Sequence, residues 1–180
     1  YSEDESLNRL LRNVVEEVSK YAGLQIDHIR KLSEIGIALS AEKNLARLLE
    51  LIVDEARLFS GADAGALYTL NEETDSLEFA IVQNDTMKIR MGGTAGPISW
   101  AAIPLKKDGG QNLSNVSSYA AITGENINIP DVYTAEGFDF SGTRKFDSNT
   151  GYRSQSMLVI PMKNKDGETI GVLQLINAMD

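Results

Sequence analysis

Residues 123–133 read T-G-E-N-I-N-I-P-D-V-Y, residues 146–162 read F-D-S-N-T-G-Y-R-S-Q-S-M-L-V-I-P-M, and residues 167–177 read G-E-T-I-G-V-L-Q-L-I-N. In order they give a helix end, a short strand, a polar excursion of about twenty residues and a β-hairpin; connections that long are functional or disordered rather than routine. The hairpin is expected to turn on Asp166-Gly167, a pair suited to the positive φ of a two-residue turn. The excursion carries Tyr133, Phe138, Phe140, Phe146 and Tyr152. That is too aromatic for a disordered linker. It reads as an ordered lid over a pocket.

Upstream, residues 3–39 read as helix, with a possible interruption at Gly23. Leu7, Val14, Tyr21, His28 and Ile35 recur every seven residues, as do Leu11, Val18, Gln25, Leu32 and Leu39. The two rows form a 3-4 seam of the kind that pairs helices in a coiled coil. Glu5, Arg9, Arg12, Glu16, Glu17 and Lys20 lie outside it. The seam predicts a homodimer through residues 7–39; two amphipathic helices packing on their own domain are the alternative. The organisation expected is a dimerisation helix over 1–25 and a domain over 26–180. A second helix, Asn44–Phe59, carries Leu45, Leu48, Leu49, Ile52, Val53, Ala56 and Phe59 on one stripe. Strands follow at Ala64–Leu70, Leu77–Gln83 and Ile98–Leu105, then a polar loop at Lys106–Gln111. A helix at Val116–Thr123 stops at Gly124, and the last strands are Gln155–Met162 and Thr169–Ile176. The fold class is α+β: a central antiparallel sheet of five or six strands with helices on both faces and a coiled-coil-like N-terminal helix. The helix 44–59 and the N-terminal helix are expected on one face, the lid and helix 116–123 on the other.

Composition excludes several functions. Hydrophobic residues make up 42% of the 180, enough for a core, and the net charge is −9. That charge disfavours nucleic acid, whose backbone needs basic patches, and anionic membrane surfaces. No apolar run spans a bilayer and no signal peptide is visible, so a cytoplasmic location is expected. The strand pattern running almost to Asp180 suggests an excised piece without its output domain. With no Cys there is no disulfide, thiol catalysis or zinc-thiolate site. The single His, His28, lies in the seam, leaving no base for a nucleophilic triad. Glu16-Glu17 and Glu72-Glu73 are adjacent pairs expected to face water. Gly92-Gly93-Thr94-Ala95-Gly96 lacks the Lys-Ser/Thr of a P-loop and reads as a connector. No metal is expected. The best anion site is the start of the helix near Val116, where Asn112, Ser114 and Asn115 are credible caps and free N–H groups meet the positive end of the dipole. Plain capping without a ligand is the alternative.

The order N-I-P-D-x-Y, F-D-x-x-T-G-Y-R-S and G-V-L-Q-L-I-N resembles GAF domains of cyclic-nucleotide phosphodiesterases and adenylate cyclases. Closer still, it resembles bacterial GAF modules preceding HD-GYP, adenylate cyclase or diguanylate cyclase outputs. The resemblance covers roughly Ile26 to Asn177. It implies a cyclic phosphate at Asn115, Val116 and Ser117, covered by a lid helix after N-I-P-D that brings in Tyr133. Among the lid's basic groups, Arg144, Lys145 and Arg153 are candidates to face that phosphate. Arg153 is favoured instead as a structural partner of Asp147 or Asp139. Ser141 and Thr143 are candidates for a base edge. Trp100 either stacks on a purine or fills the core. Phosphodiesterase GAF domains often continue from the last strand as Asn-Lys; here Asn177 is followed by Ala178. The expected function is a sensor for a cyclic mononucleotide, cAMP ahead of cGMP, controlling an absent enzyme. A ligand-free dimerisation module and a sensor of another metabolite are the alternatives. Missing covalent bilin attachment follows from the absence of Cys.

Overall fold

The computed structural model describes residues 5–178; residues 3 and 4 of the expected first helix lie outside these. The chain divides into two compact units between Glu42 and Lys43, later in the sequence than residue 25. The first unit is α1 (Glu5–Ala41), which runs unbroken through Gly23 and buries none of its residues. Gly costs a helix only about 1 kcal/mol relative to Ala, which the neighbouring turns absorb.

The second unit begins with α2 (Leu45–Ser60). Asn44 caps it, its side-chain oxygen accepting from the Arg47 N–H at 3.1 Å, and Gly61 ends it at φ 66°. The strands are β1 (Ala62–Asn71), β2 (Ser76–Asn84), β3 (Ile89–Gly92), β4 (Ile103–Pro104), β5 (Lys106–Lys107), β6 (Gly110–Gln111), β7 (Ile127–Ile129), β8 (Met157–Lys163) and β9 (Thr169–Ala178). The helices of the far half are α3 (Val116–Thr123) and α4 (Ser141–Thr150). The main sheet is antiparallel in the order β3-β2-β1-β9-β8-β7, with β4 beside β2. Six strands form its continuous path, and β4 adds a two-residue seventh.

Two apolar layers cover the sheet. Val53 of α2 packs with Leu67, Ile81, Leu173 and Leu175 on one face. On the other, Val116 and Ala120 of α3 pack with Tyr68, Val159, Val172 and the lid residues Val132 and Phe140. The alternation of strand side chains produces both layers from the same strands.

Three expectations need correction. The third strand is not Ile98–Leu105; only Ile103–Pro104 of it pairs, because Pro104 has no N–H to donate and the residues before it carry the positive-φ turn at Gly92, Gly93 and Gly96. Its place beside the end of β2 goes to Ile89–Gly92. The hairpin between β8 and β9 does not turn on two residues. The Asn164 side chain accepts from the N–H groups of Asp166 and Glu168 at 2.9 and 3.0 Å, which widens the turn and leaves only Gly167 left-handed. The two-residue Asp-Gly turn occurs instead at Asp108-Gly109, at φ 54° and 81°, joining β5 to β6 inside the segment expected as polar loop. Finally, the lid helix starts at Ser141 rather than straight after N-I-P-D. Asp131 caps a turn there, accepting from the Tyr133 N–H at 2.8 Å.

Candidate functional site

A cavity of ≈ 340 Å³ lies between the sheet, the start of α3 and the lid. Its size falls within the range of about 300–1,000 Å³ usual for small-molecule sites. Small side chains on β1, Ala64 and Ala66, open its floor, and Val82, Met157, Gln174 and Ile176 complete it. Phe79 and Trp100 form one wall, their rings edge-on at 5.2 Å; Phe146 of α4 meets Trp100 at 6.0 Å, and Tyr68 lies 4.6 Å from Phe79. Trp100 is 40% exposed, so it borders the cavity mouth rather than filling the core.

The starts of two helices face this space. From α3 come Asn115, Val116 and Ser117; from α4 come Phe140, Gly142 and Thr143. The first turn of a helix has N–H groups without helical partners. At α3 the Asn115 side chain already accepts from the Ser117 and Ser118 N–H groups, both at 3.0 Å. The Ser117 N–H, the expected phosphate donor, is engaged by that cap here. At α4 no side chain caps from Phe140, and Asp139 accepts from the Ser141 N–H at 2.9 Å.

Among the described residues, Asp139 is the one charged residue in the lining. Hydrogen bonds from the Ser141 hydroxyl and N–H hold its carboxyl below the usual range, with Lys107 and Arg144 contributing. Among the buried polar groups, Gln174 accepts from the Tyr68 hydroxyl at 2.7 Å and lies 3.4 Å from the Ser117 hydroxyl. Burial pushes the Tyr68 phenol well above its ordinary range. Gln83 and Gly65 border the cavity, but the Gln83 side chain bonds Arg57 of α2 at 3.1 Å. Arg57 is buried, donates to the Asp63 carbonyl at 2.8 Å and pairs with Asp85 at 2.6 Å.

The structure separates the sequence candidates into two groups. Trp100, Asn115, Val116, Ser117 and Thr143 line the cavity. Tyr133, Ser141, Arg144, Asp147 and Arg153 are not in that lining. The Tyr133 hydroxyl donates to Asp147 at 2.7 Å, so its role as a phosphate cover is corrected to one within the lid. Asp147, buried, also accepts from the Ser154 N–H at 2.8 Å and the Ser154 hydroxyl at 2.9 Å. Arg153 does not pair with Asp147 or Asp139; its guanidinium sits 4.4 Å over the Tyr133 ring. With the Asp147 carboxylate already holding three donors, the ring face is the electronegative surface within reach. Arg144 reaches the Val132 carbonyl at 3.5 Å.

Sequence reasoning missed Tyr68, Phe79, Asn84 and Gln174, and named Tyr152 as a lid aromatic without assigning it to the cavity wall. Gln174 was the detectable one: an amide flanked by apolar residues in V-L-Q-L-I marks a buried polar group that needs partners. Among the described residues no group of three or more acidic or His side chains is placed to hold a metal.

The sequence profile of the GAF domain matches residues 44–180. The chain belongs to the GAF family. The chain is 40% identical over 67 residues to the dual 3′,5′-cyclic-AMP and -GMP phosphodiesterase 11 of Drosophila melanogaster, covering 37% of this chain and 4% of that protein. It is 44% identical over 62 residues to the dual phosphodiesterase 11A of Takifugu rubripes, covering 34% of this chain and 6% of that one. The chain therefore spans a small fraction of the length of these curated relatives. In fold it is similar to the GAF domain of an Acinetobacter phosphoenolpyruvate-protein phosphotransferase, with TM-score 0.59, 14% identity and coverage of 84% and 77%. It is also similar to free methionine-R-sulfoxide reductase from Neisseria meningitidis, with TM-score 0.56, 20% identity and coverage of 82% and 71%. Family membership places this GAF domain among regulatory sensor modules. No described helix is long and apolar enough to cross a membrane.

Proposed function

We propose that this GAF domain binds a cyclic mononucleotide in the cavity under the lid and regulates an enzyme outside this chain. The observation that carries the reading is the convergence of two helix starts, α3 and α4, on one aromatic-walled cavity. No Lys or Arg among the described residues lines it, so the partial positive charges of the helix ends are the feature suited to a phosphate. In this reading the phosphate takes the Val116 N–H, displaces the Asn115 side chain from Ser117, and meets Gly142 from the other side. The purine stacks on Trp100, with Thr143 at its edge. The phosphodiesterase relatives, named for cyclic AMP and cyclic GMP, support the ligand class. The sequence-based order, cAMP ahead of cGMP, is retained as part of the proposal.

Calorimetric titration with both nucleotides tests it, together with thermal shift. Ligand at 100 times its dissociation constant stabilises a fold by about 2.7 kcal/mol. Trp100→Ala should weaken binding by about 1–3 kcal/mol, the worth of one base–aromatic stack, while the half-exposed ring costs little stability. No heat and no shift from either nucleotide would refute the reading.

A second reading is favoured by α1. Leu7, Leu11, Val14, Val18, Tyr21 and Leu32 of the seam are all exposed, and Leu10, Val15, Leu24 and Ile29 widen the same apolar face. We propose that α1 pairs with α1 of a second copy. A module serving only that pairing would keep the Asn115 cap closed and bind neither nucleotide.

A further inference from the structure

Tyr152 lies on the segment that returns from α4 to β8, and its side chain lines the cavity. Its hydroxyl donates to Asp63, at the start of β1, at 2.7 Å and accepts from the Asn177 side-chain amide at 3.1 Å. Asn177 stands near the end of β9, at φ 55°. That left-handed conformation is one Asn tolerates better than most side chains.

Asn177 holds the returning segment at residues 152, 153, 155 and 156. Besides Tyr152, its amide donates to the Arg153 carbonyl at 2.7 Å, and its side-chain oxygen accepts from the Gln155 N–H at 2.7 Å. Its own N–H donates to the Ser156 carbonyl at 3.0 Å. Both amide hydrogens are therefore in use. A shift of the Tyr152 ring leaves one of those hydrogens without its acceptor. Asp63 is fixed on the other side by the Thr86 N–H and hydroxyl, at 3.2 and 2.8 Å.

We propose that Asn177 is the positioning residue through which occupancy of the cavity reaches the end of β9. A ligand that moves the Tyr152 ring changes the hydrogen bond to Asn177, and with it the pairing of the last β9 residues. This deepens the cyclic-nucleotide reading and rests on it for the ligand. A staple with a merely structural role would cost stability when removed but would leave the ligand response of β9 unchanged.

The test is residue-resolved amide hydrogen exchange on the whole 180-residue chain, with cAMP and cGMP as probes. In the unmodified chain, nucleotide should change exchange several-fold at Gln155, Asn177 and Ala178, as local opening free energies shift. Asn177→Gly keeps the left-handed backbone and deletes the side-chain bonds. It should keep the nucleotide response at Val116 and Thr143 while losing it at residues 177 and 178. Tyr152→Phe keeps the ring in the wall, removes only the hydroxyl, and should uncouple the same residues should Asn177→Gly fail to fold. A β9 response that survives in the variant that folds overturns the proposal. Nucleotide binding by calorimetry without any exchange change at Gln155 and Asn177 overturns it while sparing the ligand reading. No binding of either nucleotide overturns both.

Discussion

Asp147→Ala should destabilise the domain strongly. Asp147 is 4% exposed and accepts three hydrogen bonds: from the Tyr133 hydroxyl, the Ser154 N–H and the Ser154 hydroxyl. Ser154 is 2% exposed, so both of its donors become orphans inside the fold. Each unsatisfied buried group costs about 1–3 kcal/mol. Tyr133 is 37% exposed and its hydroxyl rehydrates at little cost. The sum is about 2–6 kcal/mol, a large part of the roughly 5–15 kcal/mol that holds a domain folded. Urea titration followed by tryptophan fluorescence reads it, because Trp100 borders the lid helix through Phe146. With a urea slope of about 2 kcal/mol per molar, the midpoint should fall by about 1–3 M. Ser154→Ala supplies the cross-check. It should cost much less in the Asp147→Ala background than in the unmodified chain, since the partner is already gone. A loss below about 1 kcal/mol, or a Ser154→Ala cost equal in both backgrounds, would refute the assignment of Asp147 as the lid's hub.

Stability should fall at both ends of the pH scale. Asp85, bonded by Arg57, Glu50, bonded by Thr94, and Asp139, bonded by Ser141, have folded pKa values below their ordinary ones. Their contributions are present above the unfolded carboxylate range near pH 4 and are lost as pH falls through the folded values. Tyr68, raised by burial, and Tyr152, raised by burial and by Asp63, act in the opposite sense. Their contribution is complete below about pH 10 and declines above it, Tyr68 at about 1.4 kcal/mol per pH unit. Tyr68→Phe should flatten the alkaline limb in pH-dependent melting, and an unchanged limb would exclude Tyr68 as its source. Gly92→Ala should cost about 2–5 kcal/mol, since φ 87° with ψ −179° admits little but glycine and an added Cβ meets the Ala80 carbonyl oxygen. An unaltered melting temperature would refute that close approach. Deleting residues 1–22 should shift the chain toward monomer in sedimentation, because it removes Leu7, Leu11, Val14, Val18 and Tyr21 of the exposed seam on α1; an unchanged dimer would place the contact elsewhere.

The parts of this chain that sequence could reveal are those where one local signal had no competitor. Val116–Thr123 was bounded by an Asn cap and a Gly stop, and both act at those residues. The same dipeptide, Asp-Gly, had two outcomes because its neighbours differ. Asp108-Gly109 turns tightly, while Asn164 reaches over Asp166-Gly167 and opens the turn. In the site, the helix start was legible from its caps, yet whether Asn115 leaves its N–H groups vacant is a matter of rotamer, which no spacing encodes. Tyr133 and Tyr152 looked alike as lid aromatics. One belongs to the Asp147 cluster and the other to the cavity wall, and only contacts with Asp63 and Asn177, far along the chain from Tyr152, separate them.

The central strands β1 and β9 meet with Ala62 opposite Ala178 and Thr69 opposite Gly171. The chain therefore enters one strand and leaves the other at the same end of the sheet. A force pulling those two ends apart does not shear the ladder as a block. It loads the bonds one after another from the Ala62–Ala178 end, as a zipper opens from its tab. The sheet yields gradually to tension applied there, and the first bonds to give lie beside the Asn177 contacts of the lid.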